Sequence, residues 1–347
     1  MASEAKLHRT GSVKQIAIHL LSSLLLFALV RPATRNSAAD STPPSLRPGS
    51  RVLLDAHNCY PYHGKWADRM ERALGTGLPL AIEQDLCWHT DARSGRSWSI
   101  VSHGKPLSGN EPTLKQHFFE RVRPIIEKAI LERNSRDWPL ITLNLDFKSE
   151  EPAHLAAIWS LLGEYEDWLC TAERGADIHK TNPLRLRPVL VLTGDSVAQQ
   201  KAFHDDVHVA QPLRLFGSFK STDWLKAPLD SSIPPANNYR RCWNSSWAVV
   251  EKGGQHQAGD WSEGDDRWLK SLVHFAHGQG LWIRLYTLNG HLPDKSLGWA
   301  EGYNFGSEEQ VRARWKAAIE AGVDYIATDQ YELFGIVKRE TESRPAR

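Results

Sequence analysis

Glu83 and Asp85 are the residues from which chemistry is most directly argued. They lie in the run Leu80-Ala81-Ile82-Glu83-Gln84-Asp85-Leu86, and in a strand residues two apart point to the same face. Two carboxylates held side by side repel unless a proton or a cation sits between them. Ca²⁺ and Mg²⁺ take oxygen ligands, so the pair predicts one hard divalent ion. Val52 to Ala56 is a second apolar run and ends in His57-Asn58, and a third ends in Ser102-His103. Imidazole titrates near neutrality and suits proton transfer. Leu143 to Phe147 delivers Asp146, followed by Lys148, and Arg284 and Tyr286 share a face of a later run. Ala327-Thr328-Asp329-Gln330 repeats the apolar-to-polar transition, though no role is assigned to Asp329. Carboxylates for a cation plus two histidines predict a metal-dependent hydrolase.

These groups need a scaffold that brings many strand ends together. From residue 50 onward, short apolar runs alternate with helix-like stretches. The runs are Val52–Ala56, Leu80–Leu86, Trp98–Val101, Leu140–Phe147, Val189–Leu192, Leu213–Phe216, Trp247–Val250, Leu281–Leu285 and Tyr325–Ala327. Helices are expected over Thr113–Glu132 (with Pro124 inside), Glu150–Cys170, Asp265–His277 and Ser307–Ala321, the last ending at Gly322. Strands alternating with helices argue for a parallel sheet, and a pattern this long without a break in composition favours a single-domain α/β fold, a (β/α)₈ TIM barrel. A doubly wound sheet is the alternative, but no G-x-G-x-x-G follows an early strand. Ser218 to Trp261, with three Pro and four Trp, breaks the rhythm and is expected to be a Trp-rich loop insertion. It builds either the substrate mouth or a surface excursion with its own Trp core.

Bulk properties narrow the classes. The chain has 347 residues, 41% hydrophobic, with a net charge of +1. That is ample for a large core and gives no reason to expect nucleic acid as a partner. Fourteen Trp against two Met is an uneven balance, useful equally in cleft walls and in cores. Lys6, His8, Arg9 and Lys14 precede the apolar stretch Ile16 to Val30, and Ser37-Ala38-Ala39 follows. Residues 1–39 are therefore expected to be a signal peptide for export, periplasmic or extracellular, with an uncleaved membrane anchor as the alternative. Residues 40–50 are expected to be a linker and 51–340 the barrel. The four Cys (Cys59, Cys87, Cys170, Cys242) show no C-x-x-C spacing, which disfavours a thiolate zinc site. They are free thiols, or Cys59 and Cys87 form a pair.

In sum the motifs resemble the superfamily of phosphatidylinositol-phospholipase-C-like and glycerophosphodiester-phosphodiesterase TIM barrels. His57-Asn58-Cys59-Tyr60 is similar to the His-Asn-Thr-Tyr of eukaryotic phosphoinositide phospholipases, and Glu83-Gln84-Asp85 to the superfamily's metal-binding Glu-x-Asp. His103 resembles its second histidine. Asp146-Phe147-Lys148 is similar to the Glu-x-Lys of glycerophosphodiesterases and the Asp-x-Lys of spider-venom-type phospholipases D. Gly322 to Asp329 resembles the Gly-Val-Asp-Gly-Ile-x-Thr-Asp of their last strand. This chain departs from the pattern at His-Asn-Cys, where a bacterial glycerophosphodiesterase has His-Arg-Gly, and in a longer spacing from Asp85 to His103. The resemblance implies one Ca²⁺ or Mg²⁺ on Glu83, Asp85, Asp146 and Asn58, with His57 and His103 as general acid and base. Lys148, with Arg284 and Tyr286, would contact substrate. It further implies a phosphodiester substrate, either a phospholipid headgroup or a glycerophosphodiester, with peripheral membrane contact as one way to reach it. Two other classes fit the residues: a non-catalytic barrel that binds lipid or carbohydrate on Trp-rich loops, and a glycoside hydrolase with paired carboxylates.

Overall fold

The computed structural model describes residues 43–343, except 62–64, 227, 230–232 and 295–300. The expected signal peptide lies outside the described residues. Among those described, no helix is long and apolar enough to cross a membrane.

Eight parallel strands follow one another around a barrel in chain order. They are β1 (Leu53–Ala56), β2 (Leu80–Thr90), β3 (Ile141–Phe147), β4 (Val189–Thr193), β5 (Gly217–Phe219), β6 (Arg240–Ser246), β7 (Trp282–Tyr286) and β8 (Tyr325–Thr328). β8 returns to pair with β1, from Leu53↔Tyr325 to Ala56↔Thr328. Between β4 and β5 the wall is joined by a parallel bridge, Leu192↔Phe216, and by the Thr193 N–H donating to the Phe216 carbonyl at 2.9 Å. The outer layer is α1 (Arg69–Gly75), α2 (Glu120–Glu132), α3 (Pro152–Glu164), α4 (Val197–Gln200), α5 (Glu263–Gly278), α6 (Glu308–Ala321) and α7 (Tyr331–Glu342). Among the described residues the β5–β6 connection carries no helix. This is the (β/α)₈ barrel expected from the sequence.

Local chemistry explains the element ends. Ser262 and Asp265 form a reciprocal capping box that starts α5. α6 begins with the Ser307 hydroxyl accepting from the Gln310 N–H and stops at Gly322, whose φ of +81° is open to glycine without steric cost. The strands alternate between two cores. Leu54, Ile82, Leu143, Val191, Ile283 and Ile326 face outward under the helices. Leu53, Ala81, Leu190, Cys242, Trp282 and Tyr325 belong to a separate apolar cluster that fills the N-terminal half of the barrel. Further along the strands that inner face turns polar, at Asp55, Asn144 and Arg284, and then reaches the candidate site.

Within the expected linker, residues 40–50, Leu46 is 2% exposed and the Trp282 indole donates to its carbonyl at 3.1 Å. Two expectations are corrected. Trp247 to Val250 is not a strand; Trp247–Val249 is a 3₁₀ turn, and the true strand β6 lies just before it. The pair Arg240-Arg241 and the polar Asn244 to Ser246 conceal β6 from an apolar-run search. The supposed Trp-rich loop insertion thus contains barrel wall, and two of its Trp are core. Trp243 and Trp247 are fully buried, Trp243 with its ring 6.5 Å from that of Phe275 on α5. Truncating so large a buried side chain leaves a cavity, so Trp243→Ala is expected to cost about 3–5 kcal/mol in chemical denaturation. A loss under 1 kcal/mol would show that the site collapses freely.

His117 offers a pH-dependent prediction. It lies on a π-helical turn, Lys115–Phe119, ahead of α2, and is 1% exposed. Burial, assisted by the nearby Arg121 charge, pushes its pKa down to about 4. An imidazole that protonates more readily unfolded than folded loses stability as pH falls from the unfolded value near 6.5 through the folded value near 4. The penalty approaches about 3 kcal/mol at the acid end. Urea titrations at pH 7 and pH 4 should show His117→Asn losing less stability on acidification than the wild type, by about that amount.

Candidate active site

The C-terminal ends of the strands open into a cleft of ≈ 600 Å³. Strand register builds its floor. Asp85 on β2 is paired with Asp146 on β3, and Glu83 lies two residues earlier on the same face. One oxygen from each of Glu83, Asp85 and Asp146 lies within 4.8 Å of the others. Glu83 and Asp85 are buried and Asp146 is exposed to the cleft. Their electrostatics differ. Burial works against the Glu83 charge, but His57, Arg284 and the Asn58 N–H overcome it and lower its pKa to about 2. For Asp85 burial dominates, and its pKa is raised despite the hydrogen bond from His103.

Each buried carboxylate has its own histidine. His57, one residue past β1, places Nε2 3.5 Å from Glu83 Oε2 and donates from Nδ1 to Asp329 Oδ1 at 2.6 Å. Burial disfavours a charged His57, yet the carboxylates of Glu83 and Asp329 prevail and lift its pKa to about 9. Burial likewise opposes the charge on Asp329, but His57 and Arg69 bring its pKa down to about 2. The Tyr331 hydroxyl donates to the His57 carbonyl at 2.6 Å and fixes the backbone. His103, 44% exposed, donates from Nδ1 to Asp85 Oδ2 at 2.7 Å.

The long spacing between Asp85 and His103 has a simple cause. β2 runs four residues past Leu86 and folds back as an antiparallel strand, Ser97–Val101, with Leu86 opposite Val101. The Ser102 N–H then donates to the Asp85 carbonyl at 3.0 Å. The hairpin therefore returns His103 to the strand end it left.

Cations complete the floor. Lys148 reaches Asp85 Oδ2 at 3.0 Å and Asp146 Oδ2 at 2.7 Å; burial opposes its charge, but these carboxylates raise its pKa and keep it an ammonium. Arg284, expected to touch substrate, lines the cleft and braces its floor. It is 4% exposed and donates to Asp55, to Asn244 Oδ1 (3.1 Å) and to Glu83 Oε1 (3.0 Å). Arg284 and Tyr286, two apart on one strand face, both line the cleft, the guanidinium 5.6 Å from the centre of the Tyr286 ring. Asn58 bridges several of these groups. Its backbone N–H donates to Glu83 Oε2 (2.8 Å), its amide to Asp329 (3.2 Å), and its carboxamide oxygen accepts from the Tyr60 hydroxyl (2.6 Å).

Several contributors were not evident as site residues. Asp329 follows directly from register, because Thr328 pairs with Ala56 and the next residue on each strand is Asp329 beside His57. Tyr60 is also within 2.7 Å of Asp85 Oδ2. Arg69, from α1, donates to the Asn58 carbonyl (2.6 Å) and Asp329 Oδ2 (3.3 Å) beneath the Trp66 ring. Tyr303 lays its ring 5.6 Å from His57. No short sequence signal marks Arg69 or Tyr303.

The residues present fit a divalent cation. Five carboxylates (Asp55, Glu83, Asp85, Asp146, Asp329) meet three permanently charged partners, Arg69, Lys148 and Arg284. Asp85 Oδ1 is buried and has no hydrogen-bond partner. An all-oxygen donor set with uncompensated negative charge suits Ca²⁺ or Mg²⁺ rather than a softer metal. The four cysteines are buried and free, so no disulfide joins Cys59 to Cys87.

No family model matches the chain, and no curated protein does. Similar solved structures include a glycerophosphoryl diester phosphodiesterase from Parabacteroides distasonis, 14% identical, TM-score 0.43, covering 84% of this chain and 87% of that one. A calcium-dependent phosphoinositol-specific phospholipase C from a Pseudomonas species is 14% identical, TM-score 0.45, over 85% and 93% of the two chains. A dihydropteroate synthase from Clostridium difficile is 11% identical, TM-score 0.34, over 85% and 97%. Their names span different reactions, so what this chain does rests on its own cleft.

Proposed function

We propose that this protein is a metal-dependent phosphoric diester hydrolase acting on a phospholipid headgroup or a glycerophosphodiester. The observation that carries this reading is the pairing of two histidines with two buried carboxylates around a three-carboxylate cation site in one cleft. Glu83, Asp85 and Asp146 would hold Ca²⁺ or Mg²⁺. The ion supplies Lewis acidity toward a phosphoryl oxygen and offsets charge developing there.

The chain's own groups do the rest. His57 and His103 divide the proton work: one removes the proton from the attacking hydroxyl, the other protonates the leaving oxygen. Asp329 holds the His57 ring by Nδ1, which leaves Nε2 facing the cleft beside Glu83. Asp85 does the same for His103. Lys148 presents a fixed positive charge to a phosphate oxygen, and Tyr286 and Tyr303 line the walls. Attack by a neighbouring hydroxyl of the substrate would yield a cyclic phosphodiester, which water opens with the histidine roles reversed. Export and contact with a membrane surface are part of the same proposal, because both substrate classes derive from lipids.

The full burial of Trp243 and Trp247 leaves only Trp224 and Trp261 of that segment, both half-buried, to serve as stacking platforms. A chromogenic phosphodiester and a chromogenic glycoside, each assayed with and without EDTA, discriminate the enzyme classes. Cation-dependent release from the phosphodiester alone is expected; turnover of the glycoside alone would overturn the reading.

A further inference from the structure

Gln84 stands between Glu83 and Asp85 but points the other way, out of the barrel, and is completely buried. All its polar atoms are paired. Its amide donates to the Cys59 carbonyl at 2.5 Å and the Glu83 carbonyl at 2.7 Å. Its carbonyl oxygen lies 2.6 Å from Nδ1 of His117. His117 Nε2 is buried without a partner, so the single proton of the neutral ring belongs on Nδ1 and is donated to Gln84. The π-helical turn Lys115–Phe119 carries His117 to this point, and such turns recur where a helix must aim one side chain.

We infer that Gln84, held by His117, is a positioning residue that locks the His57-Asn58-Cys59 turn to the strand bearing Glu83 and Asp85. The turn needs a lock. Asn58 has φ +52°, a conformation few non-glycine residues adopt, and in it the N–H reaches Glu83 Oε2 at 2.8 Å. Cys59 is the next residue, and its carbonyl is the atom Gln84 holds. The same turn fixes the His57 ring against Asp329. If the site only needed filling, an apolar side chain would do so without three buried hydrogen bonds to satisfy. The linkage runs from the helix layer through Gln84 to both the carboxylate and the histidine, behind the cleft and out of reach of substrate.

The test combines hydrogen exchange with kinetics; only the kinetic arm rests on the proposed hydrolase activity. Gln84→Leu is expected to speed exchange of the Asn58 amide about tenfold or more, with no change at the Ile326 amide on β8. Calcium or magnesium affinity and kcat should each fall about 10- to 100-fold, with KM little changed. His117→Leu should behave alike, whereas His117→Asn retains a donor near the Nδ1 position and should restore wild-type exchange and rate. If Gln84→Leu does not fold, the two His117 variants carry the comparison. Unchanged Asn58 exchange in a folded Gln84→Leu or His117→Leu would overturn the inference. So would a His117→Asn protein as impaired as His117→Leu. A wild type that hydrolyses no phosphodiester would count against the proposed function alone, because the exchange arm still reads the lock.

Discussion

Alanine at His57 is expected to lower kcat for a phosphodiester by about 10³-fold, with KM changed by less than about threefold. A well-placed general acid or base contributes about 10²–10⁴-fold, and His57 is placed with unusual care. Its Nδ1 is fixed by Asp329, its carbonyl by Tyr331, and its Nε2 faces the cleft 3.5 Å from Glu83. His103→Ala should show a loss of the same order, because proton removal and proton delivery are both needed in one turnover. Asp329→Asn should cost less than His57→Ala, since it leaves the ring in place while weakening its anchor. Combining it with His57→Ala should add almost nothing, as expected for groups acting as one unit. Turnover by His57→Ala within threefold of wild type would remove the histidine from the chemistry.

Asp85→Asn should abolish cation binding and activity together without unfolding the protein. Asp85 carries a charge that the fold accommodates poorly: burial raises its pKa, and one of its oxygens has no partner. In the absence of metal, amidation is therefore expected to leave the melting temperature unchanged or raise it. With Ca²⁺ or Mg²⁺ in excess the wild type should melt higher, by the linkage that stabilises any protein through a ligand bound only when folded, and Asp85→Asn should show no such shift. Activity should drop by about 10³-fold or more, since the ion contributes several kcal/mol to charge stabilisation. Glu83→Gln should behave oppositely in the metal-free protein. Its carboxylate is stabilised by Arg284 and by the Asn58 N–H, so its loss should lower the melting temperature. A wild type whose melting temperature ignores both cations would contradict the assignment of the carboxylate trio.

Much of this site could be read from sequence because strand periodicity and register do most of the work. Glu83 and Asp85 share a face by the period of two, and Asp146 joins them because β2 and β3 run parallel in register. The apolar-to-polar switch at each strand end marked His57 and Asp146, and equally Asp329, whose role emerged only once β8 was seen to pair with β1. Other features were hidden for identifiable reasons. β6 begins with two arginines and carries Asn244 at the cleft, so no apolar run announces it. Arg284 shares a strand face with Tyr286, and a period of two cannot show that its guanidinium is committed to Asp55 and Glu83. The returning hairpin that delivers His103 depends on pairing between distant residues, which local patterning does not encode. Gln84 carries no local signal of its own, because its partner, His117, is on a different element.

The most direct measurement is ³¹P NMR of glycerophosphodiesters and phospholipids incubated with the protein, in parallel with Ca²⁺, with Mg²⁺ and with EDTA. With at least one of the two cations the diester resonance should give way to a cyclic phosphodiester or a phosphomonoester, and with EDTA it should persist. Diester resonances unchanged in every sample containing folded protein, or conversion undiminished by EDTA, would contradict a metal-dependent phosphodiesterase built on Glu83, Asp85 and Asp146.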